Sequence, residues 1–281
     1  MPARASEKDI GEAMTEDIPF IIDANNEPRR LGSLLPPANL VSSLPTFERE
    51  FPVWNDDQIR KIVTDTNRMP SRKRFDSTWI KNQGQHGSCN GFAGASALSK
   101  ARVKRGLKRI DLSGAYLYSR INNGRDNGSV LADGMDAVQR FGIAPDSLVT
   151  PNMIYQHLQP PNADEEAAKH KGLVAYAVQT KQGFRTALAA GFPVIVCVSA
   201  GPRFQTYNKS GIGYVDGGSG NHAIHCDDIQ IVNGTEVYDA CNSWGLSFGQ
   251  QGRIYLTWDS FSAPFLSHVF YAIGSTFDKE D

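Results

Sequence analysis

The sequence predicts an α+β fold with two lobes sharing a cleft. Three observations carry that expectation: helical patterning through the middle of the chain, short β-rich runs after Pro193, and a cysteine where a glycine-rich turn gives way to the first long helix. The chain has 281 residues, 40% hydrophobic and 21% charged, with a formal net charge of -1. That length buries a sizeable core. The even charge balance gives no global field toward nucleic acid or membrane, so neither is expected as a partner. The basic cluster "SRKR" (71–74) sits in a polar stretch and reads as a solvated face, with a protease-accessible linker as the second reading.

Residues 1–75 read as an N-terminal arm. They hold "LLPP" (34–37), several isolated prolines and one helical fragment, "DDQIRKIVTD" (56–65), in which Ile59, Ile62 and Val63 are spaced for one face and acidic residues fill the first turn. Composition leaves three uses open for this arm, namely wrapping around the rest of the chain, occupying the cleft before processing, or docking onto a protein partner, with a disordered tail as the alternative to all three. Residues 76–281 read as the main domain, with a helical lobe over about 76–190 and a β-rich lobe over about 191–275. In the first lobe, "CNGFAGASALSKARVKRG" places Phe92, Ala95, Leu98 and Ala101 near helical spacing and ends in basic residues before Gly106. "VLADGMDAVQRFG" (130–142) and "GFRTALAAGFP" (183–193) predict two further helices. In the second lobe, "VIVCVSA", "HAIHCDDIQIV", "TEVYDACNSW" and "GRIYLTW" predict strands separated by turn residues.

No stretch approaches a membrane span, and the first thirty residues are too acidic and interrupted for a secretory signal. The four cysteines, Cys89, Cys197, Cys226 and Cys241, are dispersed without a CxxC pair. An intracellular, reducing location is expected, in the cytoplasm or in a phage particle. Cys197, Cys226 and Cys241 fall on predicted strands, where cysteine behaves as a small buried hydrophobe.

Cysteine attacks as the thiolate, which a helix N-terminus or a nearby imidazolium stabilises. Cys89 lies where unpaired helix-start amides supply that environment, and Gly84 and Gly87 allow the tight turn before it. Its alternative is a small buried residue. A base is also needed, and there are six histidines. His157 and His170 lie in polar, irregular sequence and His86 in the turn itself. His222 follows "DGGSGNH" and begins a strand, so it is the best candidate. His225 points to the opposite face of a regular strand. "CNSWG" (241–245) offers Asn242 as the group that orients the imidazole. No cofactor is called for, and no metal site either, because strand geometry separates His222 from His225 and no second cluster has zinc-like spacing.

Together "KNQGQHGSCNGFA", "GNHAI" and "ACNSWG" with "GQQGRIYL" resemble the papain-like cysteine peptidases, and "DLSGAYLYSR", "DNGSVLADGMDAVQRFGI" and "ALAAGFPVIVCV" are similar to the intervening stretches of bacterial and phage-type members. The resemblance spans roughly residues 75–273. It implies a papain-like two-lobed fold and hydrolysis of peptide or isopeptide bonds. Cys89 would be the nucleophile, His222 the base, Asn242 its partner, Gln83 an oxyanion donor beside the Cys89 amide, and Trp244 a cover over the His222–Asn242 bond. Gly128 and Ser129, with Val130, would hold an extended peptide substrate, and Asn221 and Trp244 would flank it. Two departures stand out. His86 occupies a place where the family usually has a cysteine paired in a disulfide, and Asn90 one where it has an aromatic residue. Two other functions stay open: a papain-fold docking component of a phage particle or bacterial assembly, and a Cys-His amidase of cell-wall peptides or an acyltransferase.

Overall fold

The computed structural model describes residues 19–34, 44–217, 220–261 and 270–278. The chain opens with an antiparallel hairpin, β1 (Phe20–Ile22) and β2 (Pro28–Arg30). The Asp23 carboxylate holds its turn by accepting from the Asn25 and Glu27 amides at 2.8 and 3.0 Å. A two-residue strand, β3 (Ser33–Leu34), follows. Three short helices come next: α1 (Phe47–Glu50), α2 (Asp56–Val63) and α3 (Ser71–Arg74). A reciprocal cap starts α2. The Gln58 amide donates to the Asn55 side chain and the Asn55 amide to the Gln58 side chain, both at 2.9 Å.

The main domain begins with α4 (Cys89–Lys104) and α5 (Gly114–Ser119). These are followed by β4 (Ser129–Val130), α6 (Leu131–Arg140), α7 (Ala163–Ala168), β5 (His170–Val178) and α8 (Lys181–Ala189). The remaining elements are β6 (Val194–Val198), β7 (His222–Val232), β8 (Thr235–Cys241), β9 (Arg253–Leu256), α9 (Trp258–Phe261) and β10 (Phe270–Asp278). Every residue of α4 from Cys89 to Arg102 is buried, so this helix is wrapped on all sides instead of showing one apolar stripe. Gly106 and Gly142 adopt φ of 85° and 76° just past the ends of α4 and α6, where only glycine avoids strain.

The sheet is antiparallel with strand order β5-β10-β6-β7-β8-β9. Two cores flank it. One joins α4, α5 and α6 to Ile195, Cys197 and Ala223, and the other joins α8 to Val194, Val196, Ile224 and Cys226. The strict division into a helical and a strand half is corrected by β5, which lies inside the segment expected to be helical and forms the sheet edge. His170 opens this strand and is not in irregular sequence.

Within residues 1–75, different parts do different things. Residues 19–34 lie along the cleft, whereas Phe47, Ile59 and Phe75 are each at most 1% exposed in the body of the fold. "SRKR" is a solvated face only in part, with Lys73 and Arg74 exposed. Ser71 is buried and donates to Asp228, while Arg72 pairs with Asp239 at 2.9 Å and lies over the Tyr255 ring at 3.8 Å. Phe47 meets Phe51, Tyr176 and Phe192, so Phe47→Ala is expected to destabilise the chain by about 3–5 kcal/mol in chemical denaturation. A loss below about 1 kcal/mol would show that this segment is peripheral.

Candidate active site

Cys89 is the first residue of α4 and fully buried. The amides at a helix start lack intrahelical acceptors, so they are free to point at the sulfur. The sulfur meets backbone groups of Ala223, Gly32, Asn90 and its own residue, all of which favour the thiolate. Burial outweighs them and pushes the thiol up to about 11. Ala223 immediately follows His222, so α4 and the start of β7 meet at this cysteine.

His222 opens β7 with no exposed surface. Its Nε2 lies 2.8 Å from Asn242 Oδ1, at the end of β8. An amide oxygen only accepts, so in the neutral ring Nε2 carries the hydrogen and Nδ1 is the basic nitrogen. That Nδ1 is buried without a hydrogen-bond partner. Burial lowers the imidazole to about 4, against the raising effect of the Asn242 bond. Trp244 covers the pair with its ring centroid 4.6 Å from that of His222, and Phe204 closes another side at 5.8 Å. Register along β7 is regular from His222 to Cys226, so His222 and His225 take opposite faces, and the bulge comes after them.

Gln83 is wholly buried, and its amide orientation is fixed at both ends. Oε1 accepts from Ser243 Oγ at 2.6 Å, and Nε2 donates to the His86 carbonyl at 2.8 Å. One Nε2 hydrogen is left over. Gly128, Ser129, Val130 and Asn221 also come together, and they hold the chain's own arm. Ser33 and Leu34 pair in parallel with Ser129 and Val130, the Ser129 amide donates to Gly32 O at 2.9 Å, and the Ser33 amide donates to Asn221 O at 2.9 Å. Ser33 Oγ sits 3.1 Å from Cys197 Sγ. Upstream, Arg29 is 4% exposed and bonds Asp23 at 2.7 Å, Asn82 at 2.9 Å and the Gly84 carbonyl at 3.1 Å.

The two departures also find partners. His86 Nδ1 lies 3.1 Å from Asp126 Oδ2. Asn90 donates to Ser129 Oγ at 3.1 Å and to the Val130 carbonyl at 2.7 Å, so it braces β4 at the place where the resemblance implies an aromatic residue in the family. Gly134 leaves the room this requires, because a Cβ there would come within 2.6 Å of Asn90 Oδ1.

All four cysteines are free and buried. Cys241 is more than a small hydrophobe. Burial would raise its thiol, but Lys100, Arg253 and His225 outweigh that and bring it to about 6. His225, Asp227 and Cys241 place ligand-type atoms within 4.8 Å of one another. The cations there are protein side chains: Lys100 and Arg253 reach Asp227 Oδ2 at 2.7 and 2.8 Å, and Lys100 also reaches His225 Nε2 at 3.0 Å. Sequence reasoning missed this network, as well as Arg29 and Asp126. Their partners are mostly distant in sequence, as with Lys100–Asp227, Arg29–Asn82 and Gly87–Asp126, and no local spacing marks them.

A cysteine at a helix start, set against a His-Asn pair carried by adjacent antiparallel strands in a two-lobed α+β fold, defines the papain-like class. The profile described as "Papain family cysteine protease" matches residues 66–271, and the chain belongs to that family. It is 30% identical over 190 residues to cathepsin K of Mus musculus, covering 66% of this chain and 57% of that protein, and 30% identical over 194 residues to cathepsin K of Gallus gallus. The chain thus spans little more than half the length of these curated relatives. The fold is similar to that of xylellain, a cysteine protease from Xylella fastidiosa, with TM-score 0.59 and 20% identity over 70% of this chain and 82% of that one. It is also similar to procathepsin B S9 from Trypanosoma congolense, with TM-score 0.64 and 16% identity over 88% and 86% of the two chains. Among the described residues, no helix is long and apolar enough to cross a membrane.

Proposed function

We propose that the chain is a cysteine peptidase held latent by its own arm. The observation that carries this reading is the His222–Asn242 bond at 2.8 Å, which leaves Nδ1 as the basic nitrogen beside the strand start that meets Cys89. With the cleft open, His222 Nδ1 takes the Cys89 proton, and the thiolate attacks the carbonyl carbon of a peptide bond. The resulting oxyanion is stabilised by the Cys89 amide and the remaining Nε2 hydrogen of Gln83. His222 gives its proton to the leaving amine, and a thioester is left on Cys89. Water then adds to the thioester as His222 takes its proton, and the acid product and the thiolate are released. Trp244 keeps bulk water from competing for the His222–Asn242 bond.

Substrate would lie against Ser129 and Asn221, whose backbone groups the arm now uses, as an added strand. The arm's partner, on this reading, is the chain's own cleft. A peptidyl epoxide that reaches the open cleft is expected to alkylate Cys89 alone among the four cysteines when the adduct is mapped by peptide mass spectrometry. Equal alkylation of all four would remove the basis for an activated thiol.

A further inference from the structure

We propose that Asp126 is a positioning residue that locks the oxyanion loop to the substrate strand, with His86 and Tyr118 as its two arms. This role rests on the peptidase reading of the same site. Asp126 is reached from both sides. From the oxyanion loop, the Gly87 amide donates to Oδ1 at 2.9 Å, and His86 Nδ1 lies 3.1 Å from Oδ2. From the other side, the buried Tyr118 hydroxyl donates to Oδ1 at 3.0 Å and itself accepts from the Gly128 amide at 3.0 Å. The chain of bonds is therefore continuous from Gln83, through the His86 carbonyl it holds, to Gly128 at the head of β4.

An acid suits this place because it accepts from several donors at once. Burial would raise the Asp126 carboxyl, yet the bonds from His86, Gly87 and Tyr118 hold it below the ordinary carboxylate value, so it stays an acceptor. Gly128 has φ of 79°, a conformation that fits glycine and fixes how β4 presents its backbone. The two halves joined by Asp126 have separate tasks. One donates to the oxyanion, and the other fixes the register of the bound peptide. Their relative placement decides whether a bound carbonyl falls in reach of the donors, and small errors there are expensive in rate.

The halves can be separated experimentally. Amide hydrogen exchange in the full chain is the direct test of coupling. Asp126→Ala is expected to speed exchange at Gly128 as well as Gly87 by about tenfold, although the Gly128 amide donates to the Tyr118 hydroxyl and not to the Asp126 carboxylate. Tyr118→Phe is expected to speed Gly128 alone. Asp126→Asn keeps an acceptor and is expected to stay near the parent. Unchanged exchange at Gly128 in Asp126→Ala would overturn the proposal.

The catalytic readout is the cleavage of a quenched peptide by chains carrying Gly32→Ala to open the cleft, normalised to titrated Cys89. Tyr118→Phe is expected to raise KM about tenfold with kcat kept, His86→Ala to lower kcat about tenfold with KM kept, and Asp126→Ala to do both. Unchanged constants in Asp126→Ala would reduce it to scaffold and sink the positioning role. If no chain cleaves peptide while the coupled exchange holds, the peptidase reading fails and the bond chain stands.

Discussion

Gly32→Ala in the full chain is expected to raise the rate of Cys89 alkylation at pH 7 by at least about a hundredfold. A Cβ on Gly32 would overlap the Gly87 carbonyl, and that backbone cannot yield freely because its amide is held by Asp126. The arm must therefore leave. In the closed chain burial keeps the thiol near about 11, so only about one molecule in ten thousand carries the thiolate at pH 7. Once solvent reaches the sulfur, the helix-start amides and His222 act without that penalty, and cysteines so placed fall to about 3.5–7.5. The measurement is intact-protein mass against time with iodoacetamide. Labelling of the parent is expected to climb toward pH 11, and that of Gly32→Ala to level off near neutrality.

The same shifts set the pH range over which the closed chain best resists unfolding. The raised Cys89 thiol contributes to stability below its ordinary value of 9.0, and this contribution is lost as pH rises through about 11. The lowered His222 contributes above its ordinary value of 6.5, and this contribution is lost as pH falls through about 4. The closed chain is therefore expected to resist urea best between about pH 6.5 and 9.

Cys89→Ala in the opened chain is expected to lower peptide turnover by about six orders of magnitude, the scale on which hydrolases lose activity with their nucleophile. Neither His222 nor the helix-start amides can attack a carbonyl in its place. His222→Ala is expected to cost nearly as much, and the double variant no more than either alone, because nucleophile and base act as one unit. Gln83→Ala removes a single donor and is expected to cost about 10²–10³-fold in kcat. Turnover of a quenched peptide checks the series. Losses that multiplied across Cys89 and His222 would show that the two act independently.

Much of the candidate site was legible because its determinants are local. Cys89 with the small residues after it marks the start of α4, and both His222 and Asn242 sit at strand ends bounded by glycine or asparagine turns. What was not legible depends on contacts distant in sequence. β5 begins with a polar pair, His170-Lys171, and acquires its partner only from β10, about a hundred residues on. Residues 44–75 look like an extension because their prolines and charges hide Phe47 and Ile59, which are buried by elements that come much later. The course of Gly32–Leu34 through the cleft follows from backbone bonds to Ser129 and Asn221, which leave no trace in side-chain pattern. Asp126 could be found only once His86 had been placed.

Once uncovered, Cys89 is expected to carry the acyl group. The direct measurement is the reaction of the Gly32→Ala chain with a nitrophenyl ester of a blocked dipeptide, followed both by nitrophenol release and by mass spectrometry after acid quench. A burst of about one equivalent and an acyl mass on the peptide containing Cys89 are expected. Hydrolysis with no burst, or an acyl mass on Cys197 instead, would contradict it.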